Sequence, residues 1–168
     1  MKYQLVIQFP EEICGDLDWI AYLEEIIDQS LIDDPIDIHS EFRQNDLVLF
    51  DDTDTIQDKK IKEAISRLKN DILETGRHSN IYVVITSHLI NGISRTDTRT
   101  ILNECTSLTI FPKSGSTYQI IYVLKNYIGL NKNQINYILN LPSRWVTIFK
   151  NFPQYCIFEK GCFLLNYI

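Results

Sequence analysis

The stretch Asp46-Leu47-Val48-Leu49-Phe50-Asp51-Asp52 decides the fold that we predict for this chain of 168 residues. Four consecutive apolar residues end in two adjacent carboxylates, and such a run is typical of a strand in the middle of a parallel sheet. Open parallel sheets bind ligands at the edge where their strands end. We therefore predict a buried strand over residues 47–51 that places Asp51 and Asp52 at a ligand-binding edge. The alternative is a solvated acidic turn after an ordinary core strand.

A long helix is predicted directly after this strand. Asp58 is suited to be its N-cap and Gly76 to end it. Between them, apolar residues recur at helical spacing and form one stripe, which consists of Ile61, Ile65, Leu68 and Ile72. The next apolar run, residues 81–85, is predicted to be a second buried strand. A helix and a strand that follow one another in this way are typical of a parallel sheet.

The remaining pattern predicts an α/β fold: a parallel sheet with flanking helices, followed by C-terminal antiparallel strands. A helix over 117–128 is expected to turn four residues inward, Ile120, Ile121, Leu124 and Ile128. Residues 36–46 are polar and are predicted to form a loop after a break at Asp33-Asp34-Pro35. Further strands are predicted at 3–9, 107–111, 145–149, 155–158 and 162–167, and further helices at 16–32, 97–104 and 132–140.

Length and composition fit one globular domain over residues 1–168. The apolar fraction is 45% and the charged fraction 23%, both ordinary for such a protein. We divide the domain into an acidic lead-in at 1–46, a core at 47–128 that ends with a third core strand and its helix, and a C-terminal part at 129–168. No apolar run reaches the roughly 18 residues of a membrane span. The four cysteines form no C-x-x-C pair, which favours reduced, partly buried thiols in an intracellular protein.

Charge is distributed unevenly along the chain. Residues 1–58 contain 16 acidic and 2 basic side chains, whereas residues 59–168 contain 6 acidic and 14 basic ones. One interpretation is a basic surface for nucleic acid beside an acidic one. The other is that acidic loops and basic helices face each other or face neighbouring subunits. The basic residues form no dense run, so composition alone does not decide between them.

Carboxylates at a strand end are typical of enzymes that transfer phosphoryl groups. One carboxylate holds Mg²⁺ through its water shell, and its neighbour polarises the attacking water. We assign the metal role to Asp51 and the water-activating role to Asp52, with Asp54 close by. A magnesium site of this kind has no need of histidine, and no two of His39, His78 and His88 share the spacing of metal ligands.

Polar and basic residues elsewhere are candidates for the same edge. The second buried strand ends in Thr86-Ser87-His88, where a side chain could contact a γ-phosphate or the attacking water; an ordinary capped strand end is the alternative. Arg77, Arg95 and Arg99 fall on segments that we expect to border the edge. Any of them is a candidate arginine finger for a neighbour's nucleotide, and a solvated surface arginine is the alternative.

Several segments, taken in order, resemble one family. They are Leu47-Val48-Leu49-Phe50-Asp51-Asp52, Leu73-Glu74-Thr75-Gly76-Arg77-His78, Tyr82-Val83-Val84-Ile85-Thr86-Ser87-His88, Thr98-Arg99-Thr100-Ile101-Leu102-Asn103-Glu104, Thr109-Ile110-Phe111-Pro112, Ser143-Arg144-Trp145-Val146-Thr147-Ile148 and Lys150-Asn151-Phe152-Pro153. In order and spacing they resemble the C-terminal half of the viral genome-packaging ATPases of the FtsK–HerA superfamily, in the form carried by large nucleocytoplasmic DNA viruses.

The resemblance implies part of a RecA-like P-loop ATPase core with ATP and Mg²⁺ as cofactors. It also implies a ring of copies that moves double-stranded DNA into a viral capsid, in the host cytoplasm, a viral factory or the virion. Asp51 and Asp52 look like the Walker B pair, with Asp51 on the metal. The polar strand end would supply a nucleotide contact at Thr86 and a sensor at Ser87 or His88. Arg99 looks like the arginine that acts in a neighbouring site, and Arg77 is the second candidate.

One element of that family is absent from the sequence. No Gly-x-x-x-x-Gly-Lys-Ser/Thr loop occurs in the chain, so it lacks the lysine and the backbone amides that hold the phosphates. We therefore predict that the chain alone binds ATP weakly or not at all. We expect the missing strand to belong beside the Walker B strand, where its absence leaves an apolar edge. A completing P-loop-bearing chain, an oligomer or a rearranged fold is then expected. The alternatives are a degenerate homologue that serves as a binding or structural module, and an unrelated Mg²⁺-dependent α/β nuclease.

Overall fold

The structure is a computed structural model that describes residues 5–8, 30–34, 36–51, 53–87 and 95–167. The chain divides into two compact units, Met1–Ile101 and Leu102–Ile168. This division differs from the single domain predicted above. Most of the predicted helix at 16–32 lies outside the described residues, and so does Cys14.

The sheet of the first unit has three strands in the order β1-β2-β3: β1 is Leu5–Gln8, β2 is Leu47–Phe50 and β3 is Tyr82–Ile85. β2 and β3 run parallel, which confirms that part of the prediction, whereas β1 runs antiparallel to β2. Because β2 is paired on both sides, a missing strand has no place beside it, and the position predicted for that strand is wrong. Along β3, Val83 and Ile85 pack against the core, whereas Tyr82 and Val84 are exposed. The prediction of a buried strand therefore holds for one face of β3.

Two short helices precede β2. α1, Ser30–Asp33, ends at the predicted break, and α2, Ile38–Glu41, lies where a loop was predicted. The Asp37 carboxylate caps α2 by accepting from the His39 amide at 3.2 Å. Ile38 and Phe42 are four residues apart and both buried. This i, i+4 apolar pair draws the polar stretch into one helical turn against the core.

The long helix α3, Lys59–Thr75, covers the inner face of this sheet. Asp58 caps it as predicted, with its carboxylate accepting from the amides of Lys60 at 2.8 Å and Ile61 at 3.1 Å. Its apolar stripe packs on β2 and β3 in a core formed by Ile38, Phe42, Val48, Phe50, Ile56, Ala64, Ile65, Leu68, Ile72 and Ile81. A 3₁₀ turn, Gly76–Ser79, then leads to β3. Burial of this stripe fixes the helix on the sheet.

Gly76 caps the end of α3, but not by adopting left-handed geometry. Its φ of −59° suits any residue. Space is the constraint instead, because a Cβ there would lie 3.2 Å from Ile72 Cγ2 and 3.3 Å from Ile81 Cβ. The glycine thus allows the end of the helix to approach the start of β3 closely.

Helix α4, Arg95–Glu104, crosses the boundary between the two units and begins two residues before its predicted start. Its last carbonyl groups lack helical partners, as at any helix C-terminus. The Lys150 ammonium group donates to the carbonyls of Leu102 at 2.7 Å and Asn103 at 2.9 Å. Lys150 therefore caps the end of α4, and the lysine and both carbonyl groups belong to the second unit.

The second unit has a four-stranded antiparallel sheet in the order β4-β5-β6-β7 with two helices. The elements are β4 Ser107–Ile110, α5 Thr117–Asn126, α6 Lys132–Asn140, β5 Val146–Phe149, β6 Tyr155–Phe158 and β7 Gly161–Leu164. β4 was predicted to be a third strand of the parallel core, and this is wrong. Leu108 and Ile110 lie opposite Ile148 and Val146 of β5. This antiparallel register directs both apolar rows into one core.

The helices of this unit differ from prediction at single positions. Ile120, Leu124 and Ile128 are buried as expected, whereas Ile121 is 37% exposed because it lies about 100° around the helix from Ile120. Asn131 and Gln134 form a capping box at the start of α6. The last predicted strand stops at Leu164, and a 3₁₀ turn, Leu165–Tyr167, buries Leu165 against α6 and the sheet. Among the helices that the structure describes, none combines the length and apolar character needed to cross a membrane.

Candidate functional site at the carboxyl ends of β2 and β3

The parallel register of β2 and β3 brings two predicted site residues together. Phe50 lies opposite Ile85, so the next residues of the two strands, Asp51 and Thr86, are neighbours. The Thr86 amide continues the ladder by donating to the Phe50 carbonyl at 2.9 Å. The Thr86 hydroxyl donates to Asp51 Oδ1 at 2.5 Å. Asp51 and the polar end of the second strand therefore lie side by side, and the chemical roles assigned to them stay predictions.

The orientation of Asp51 fits a metal held through water. Asp51 is exposed, and its Oδ1 accepts from the Thr86 hydroxyl. Magnesium usually keeps several waters and binds one or two carboxylates together with substrate phosphates. Within the described residues, no three His, Cys, Asp or Glu side chains are arranged to hold a metal. Asp51 is thus the described carboxylate at this edge that could hold Mg²⁺ through water.

The other predicted site residues differ in how much of each the structure describes. Ser87 follows Thr86 and is exposed at the same edge, and Arg99 is exposed on α4. Asp52 and His88 lie outside the described residues. The side chains of Asp54, Arg77 and Arg95 also lie outside them.

The backbone of Arg77 is at the wrong end of the sheet for the predicted role. It belongs to the 3₁₀ turn that precedes β3. The Ile81 amide donates to the Gly76 carbonyl at 3.0 Å, and the Tyr82 amide donates to the carbonyl of Asp46, the residue before β2, at 2.8 Å. The turn therefore lies where the strands begin. The prediction that Arg77 borders the carboxylate edge is wrong, because α3 carries the chain back across the sheet before the turn.

A buried lysine that was not predicted contacts the 3₁₀ turn Thr53–Thr55, which follows β2. Lys69 of α3 is 3% exposed and Thr53 is 4% exposed. The Lys69 ammonium group donates to Thr53 Oγ1 at 3.0 Å and lies 5.8 Å from the centre of the Phe50 ring. The sequence did contain a signal, because Lys69 is four residues after Ile65 and three before Ile72, on the apolar face of the helix.

At the other end of β2, Asp46 has a structural role. Its side chain is 1% exposed, and Oδ2 accepts from the Arg43 amide at 2.7 Å. Its own amide donates to the Arg43 carbonyl at 3.3 Å, and Asn45 has a φ of 71°. The carboxylate thus closes the tight turn that starts the strand by reaching back to an amide three residues earlier.

The tail motif of the second unit also has structural roles. The hydroxyl of Ser143, 5% exposed, donates to the Trp145 carbonyl at 2.6 Å and accepts from the Glu159 amide at 3.3 Å.

Burial raises the pKa of the Cys156 thiol to about 12. Burial also raises the pKa of the Cys105 thiol, although the Lys150 ammonium group nearby opposes the shift. Protonated thiols are poor nucleophiles, so neither is a candidate for catalysis.

Comparison with known proteins identifies a viral relative. "Uncharacterized protein V3" of Sputnik virophage is 56% identical over 115 residues, which are 68% of this chain and 46% of that protein. The chain therefore spans about half the length of the relative it matches. No protein-family model matches the chain. No solved structure matches it either. The chain is thus similar to a virophage protein, and none of these comparisons assigns it to the packaging ATPases.

Proposed function

We propose that this chain is the Walker B part of a viral DNA-packaging motor ATPase with a RecA-like core, in which ATP hydrolysis drives double-stranded DNA into a capsid. The observation that carries the proposal is the contact between Asp51 and Thr86 at the carboxyl ends of two adjacent parallel strands. Ligands of open parallel sheets bind at this edge. The resemblance of the ordered segments to the packaging ATPases supplies the reaction, and the virophage relative is consistent with a viral setting.

In this proposal the described residues orient the reacting groups. Thr86 orients the carboxylate of Asp51 through Oδ1, and that carboxylate would hold a water molecule of Mg²⁺. Asp52, the next residue, would polarise the attacking water. Ser87, and beyond it His88, would sense the γ-phosphate. Arg99 would stabilise the transition state in the site of a neighbouring copy in the ring.

The phosphate-binding part of the site would join the sheet at the outer edge of β3. Within the described residues, no strand pairs with that edge. Residues 81–85 contain no charge and no proline, two of the features that protect natural edge strands from further pairing. A strand added there parallel to β3 would end beside Thr86, and the loop after it would face Asp51. A completing P-loop-bearing chain, or another segment of the polypeptide, could supply it.

The test is Mg²⁺-dependent ATP hydrolysis by a reconstituted pair. The chain is purified alone and in a mixture with the portion of Sputnik virophage V3 that lies outside the matched 115 residues. We expect hydrolysis only in the mixture, with loss of activity in Asp52→Asn. Asp71→Asn, an exposed aspartate on α3, is the matched control and should keep the activity. Tight Mg²⁺-dependent ATP binding by the chain alone, or a mixture whose activity does not need Asp52, would contradict the proposal.

A second candidate function is a degenerate homologue that keeps the fold as a binding or structural module in a ring or particle. The absence of a Gly-x-x-x-x-Gly-Lys-Ser/Thr loop from the chain favours it. Under this function no mixture hydrolyses ATP, and Asp52→Asn leaves assembly and partner binding unchanged. Metal-dependent DNA cleavage by the purified chain would instead support a nuclease.

A further inference from the structure

A buried ammonium group contacts the chain on both sides of the two predicted Walker B aspartates. The Nζ atom of Lys69 lies 5.8 Å from the centre of the Phe50 ring and 3.0 Å from Thr53 Oγ1. Phe50 directly precedes Asp51, and Thr53 directly follows Asp52. Lys69 therefore reaches both flanks of the acidic pair from α3, a helix of 17 residues that is anchored to the core by its apolar stripe.

Packing alone does not explain a lysine at this position. Its neighbours on the same helix face, Ile65 and Ile72, are buried apolar residues, and Lys69 is itself only 3% exposed. Removing an ammonium group from water is unfavourable unless hydrogen bonds or opposite charges compensate for it. An apolar side chain would fill the same space without that requirement. We therefore ask what the charge of Lys69 does for the residues around Asp51 and Asp52.

The contacts of Lys69 define how the turn is held. An ammonium group can only donate hydrogen bonds, so in this contact the Thr53 hydroxyl oxygen is the acceptor. Thr53 begins the 3₁₀ turn Thr53–Thr55, and its own side chain is buried. The ring of Phe50 offers its electron-rich face to the same cation, an interaction that strengthens away from water. Both flanks of the aspartate pair are thus attached to one point on α3.

We propose that Lys69 is a positioning residue that sets the place from which Asp51 meets a divalent cation. The inference rests on the proposed function, because it takes Asp51 as the residue that holds Mg²⁺ through water. Thr86 orients Asp51 from β3, and Lys69 holds the turn from α3 through Thr53. Residues that orient metal-binding groups without touching the metal commonly change metal affinity by roughly 10- to 100-fold when replaced.

The experiment measures binding of Mn²⁺, a paramagnetic substitute for Mg²⁺, by the loss of the spin-resonance signal of free Mn²⁺. Thr53→Val removes the acceptor and nearly keeps the shape, whereas Thr53→Ser keeps the hydroxyl. Lys69→Met removes the charge and keeps an unbranched side chain, and Lys60→Met, at an exposed position of the same helix, is its control. Urea unfolding of every variant establishes that the chain is folded during the titration. Asp51→Asn identifies the binding that belongs to the site.

We expect Thr53→Val and Lys69→Met to weaken Mn²⁺ binding by roughly 10- to 100-fold, and Thr53→Ser and Lys60→Met to bind like the wild type. If Lys69→Met does not fold, the Thr53 pair decides the question. Wild-type affinity in folded Thr53→Val, with binding lost in Asp51→Asn, would overturn the positioning role and leave the proposed function standing. Binding that is the same in Asp51→Asn and the wild type would overturn the metal role of Asp51 and the positioning role with it.

Discussion

Two aspartates at opposite ends of β2 show how position decides what the same side chain does. Asp46, before the strand, is 1% exposed and accepts from a backbone amide at 2.7 Å. Asp51, after the strand, is exposed and accepts from the Thr86 hydroxyl. The first carboxylate is buried and closes a turn, whereas the second is exposed and is contacted from the neighbouring strand. An acidic residue at a strand end is therefore a candidate ligand only when it stays exposed.

The largest effect expected from this comparison is on metal binding. Asp51→Asn keeps the shape of the side chain but removes the charge that attracts a cation, so Mn²⁺ affinity should fall by about 100-fold or more, more than the 10- to 100-fold typical of residues that only orient a ligand. The free energy of unfolding should change by less than about 0.5 kcal/mol, because the residue is exposed. Metal titration and urea unfolding of the same sample measure both quantities. A large loss of stability without a loss of metal binding would reverse the roles assigned to the two ends.

The opposite result is expected for Asp46→Ala. This substitution removes the carboxylate that accepts the partly buried hydrogen bond from the Arg43 amide, and hydrogen bonds to charged groups are worth about 1.5–3 kcal/mol. The midpoint of urea unfolding should fall accordingly, while Mn²⁺ affinity stays within twofold of the wild type. Asp71→Ala, at an exposed site on α3, is the control and should keep the wild-type midpoint. A wild-type midpoint in Asp46→Ala would show that another group replaces the carboxylate in the turn.

The sequence predicts the carboxylate edge better than the rest of the molecule, and the reason is local. Strand and helix patterns of residues 47–85 have few alternatives, since a helix that joins two apolar strands returns the second strand parallel to the first. Adjacent parallel strands end at one edge, which is sufficient to predict that Asp51 and Thr86 meet. Arg77 follows the helix and precedes the second strand, so it lies at the opposite edge, where the strands begin.

Sheet membership and buried charge are harder to predict. The apolar run of β4 is compatible with either sheet, and only its pairing with β5 in an antiparallel register reveals which core it joins. Lys69 was missed for a different reason, since one lysine beside an apolar stripe usually lies at the border of the solvated face. Its burial depends on Thr53, a residue 16 positions away that periodicity does not connect to it.

A smaller effect, of roughly tenfold, is expected when the orientation of Asp51 is relaxed and its charge is kept. Thr86→Val removes the hydroxyl that donates to Oδ1, so Mn²⁺ affinity should fall by about tenfold, at the low end for orienting residues. Thr86→Ser keeps the donor and should retain most of the affinity. Thr86 is exposed, so both variants should unfold at the wild-type urea concentration. Equal affinity in Thr86→Val and Thr86→Ser would mean that the hydroxyl does not orient the carboxylate.

The smallest effect concerns the starting edge, where Gly76 lets α3 end close to β3. Alanine suits a φ of −59°, and the loss of glycine's freedom in the unfolded chain would by itself stabilise the protein by about 0.4–1 kcal/mol. The new Cβ would lie 3.3 Å from Ile81 Cβ, an atom that cannot rotate away, and such crowding costs about 1–3 kcal/mol. We therefore expect Gly76→Ala to destabilise the fold by about 1 kcal/mol in urea unfolding.

Gly161→Ala is the matched control: its Cβ would approach Phe158 no closer than 3.8 Å, so its stability should be unchanged or slightly higher. If Gly76→Ala were as stable as that control, the end of α3 would have room to shift, and the starting edge would be less rigid than the contacts of Asp46 and Gly76 indicate.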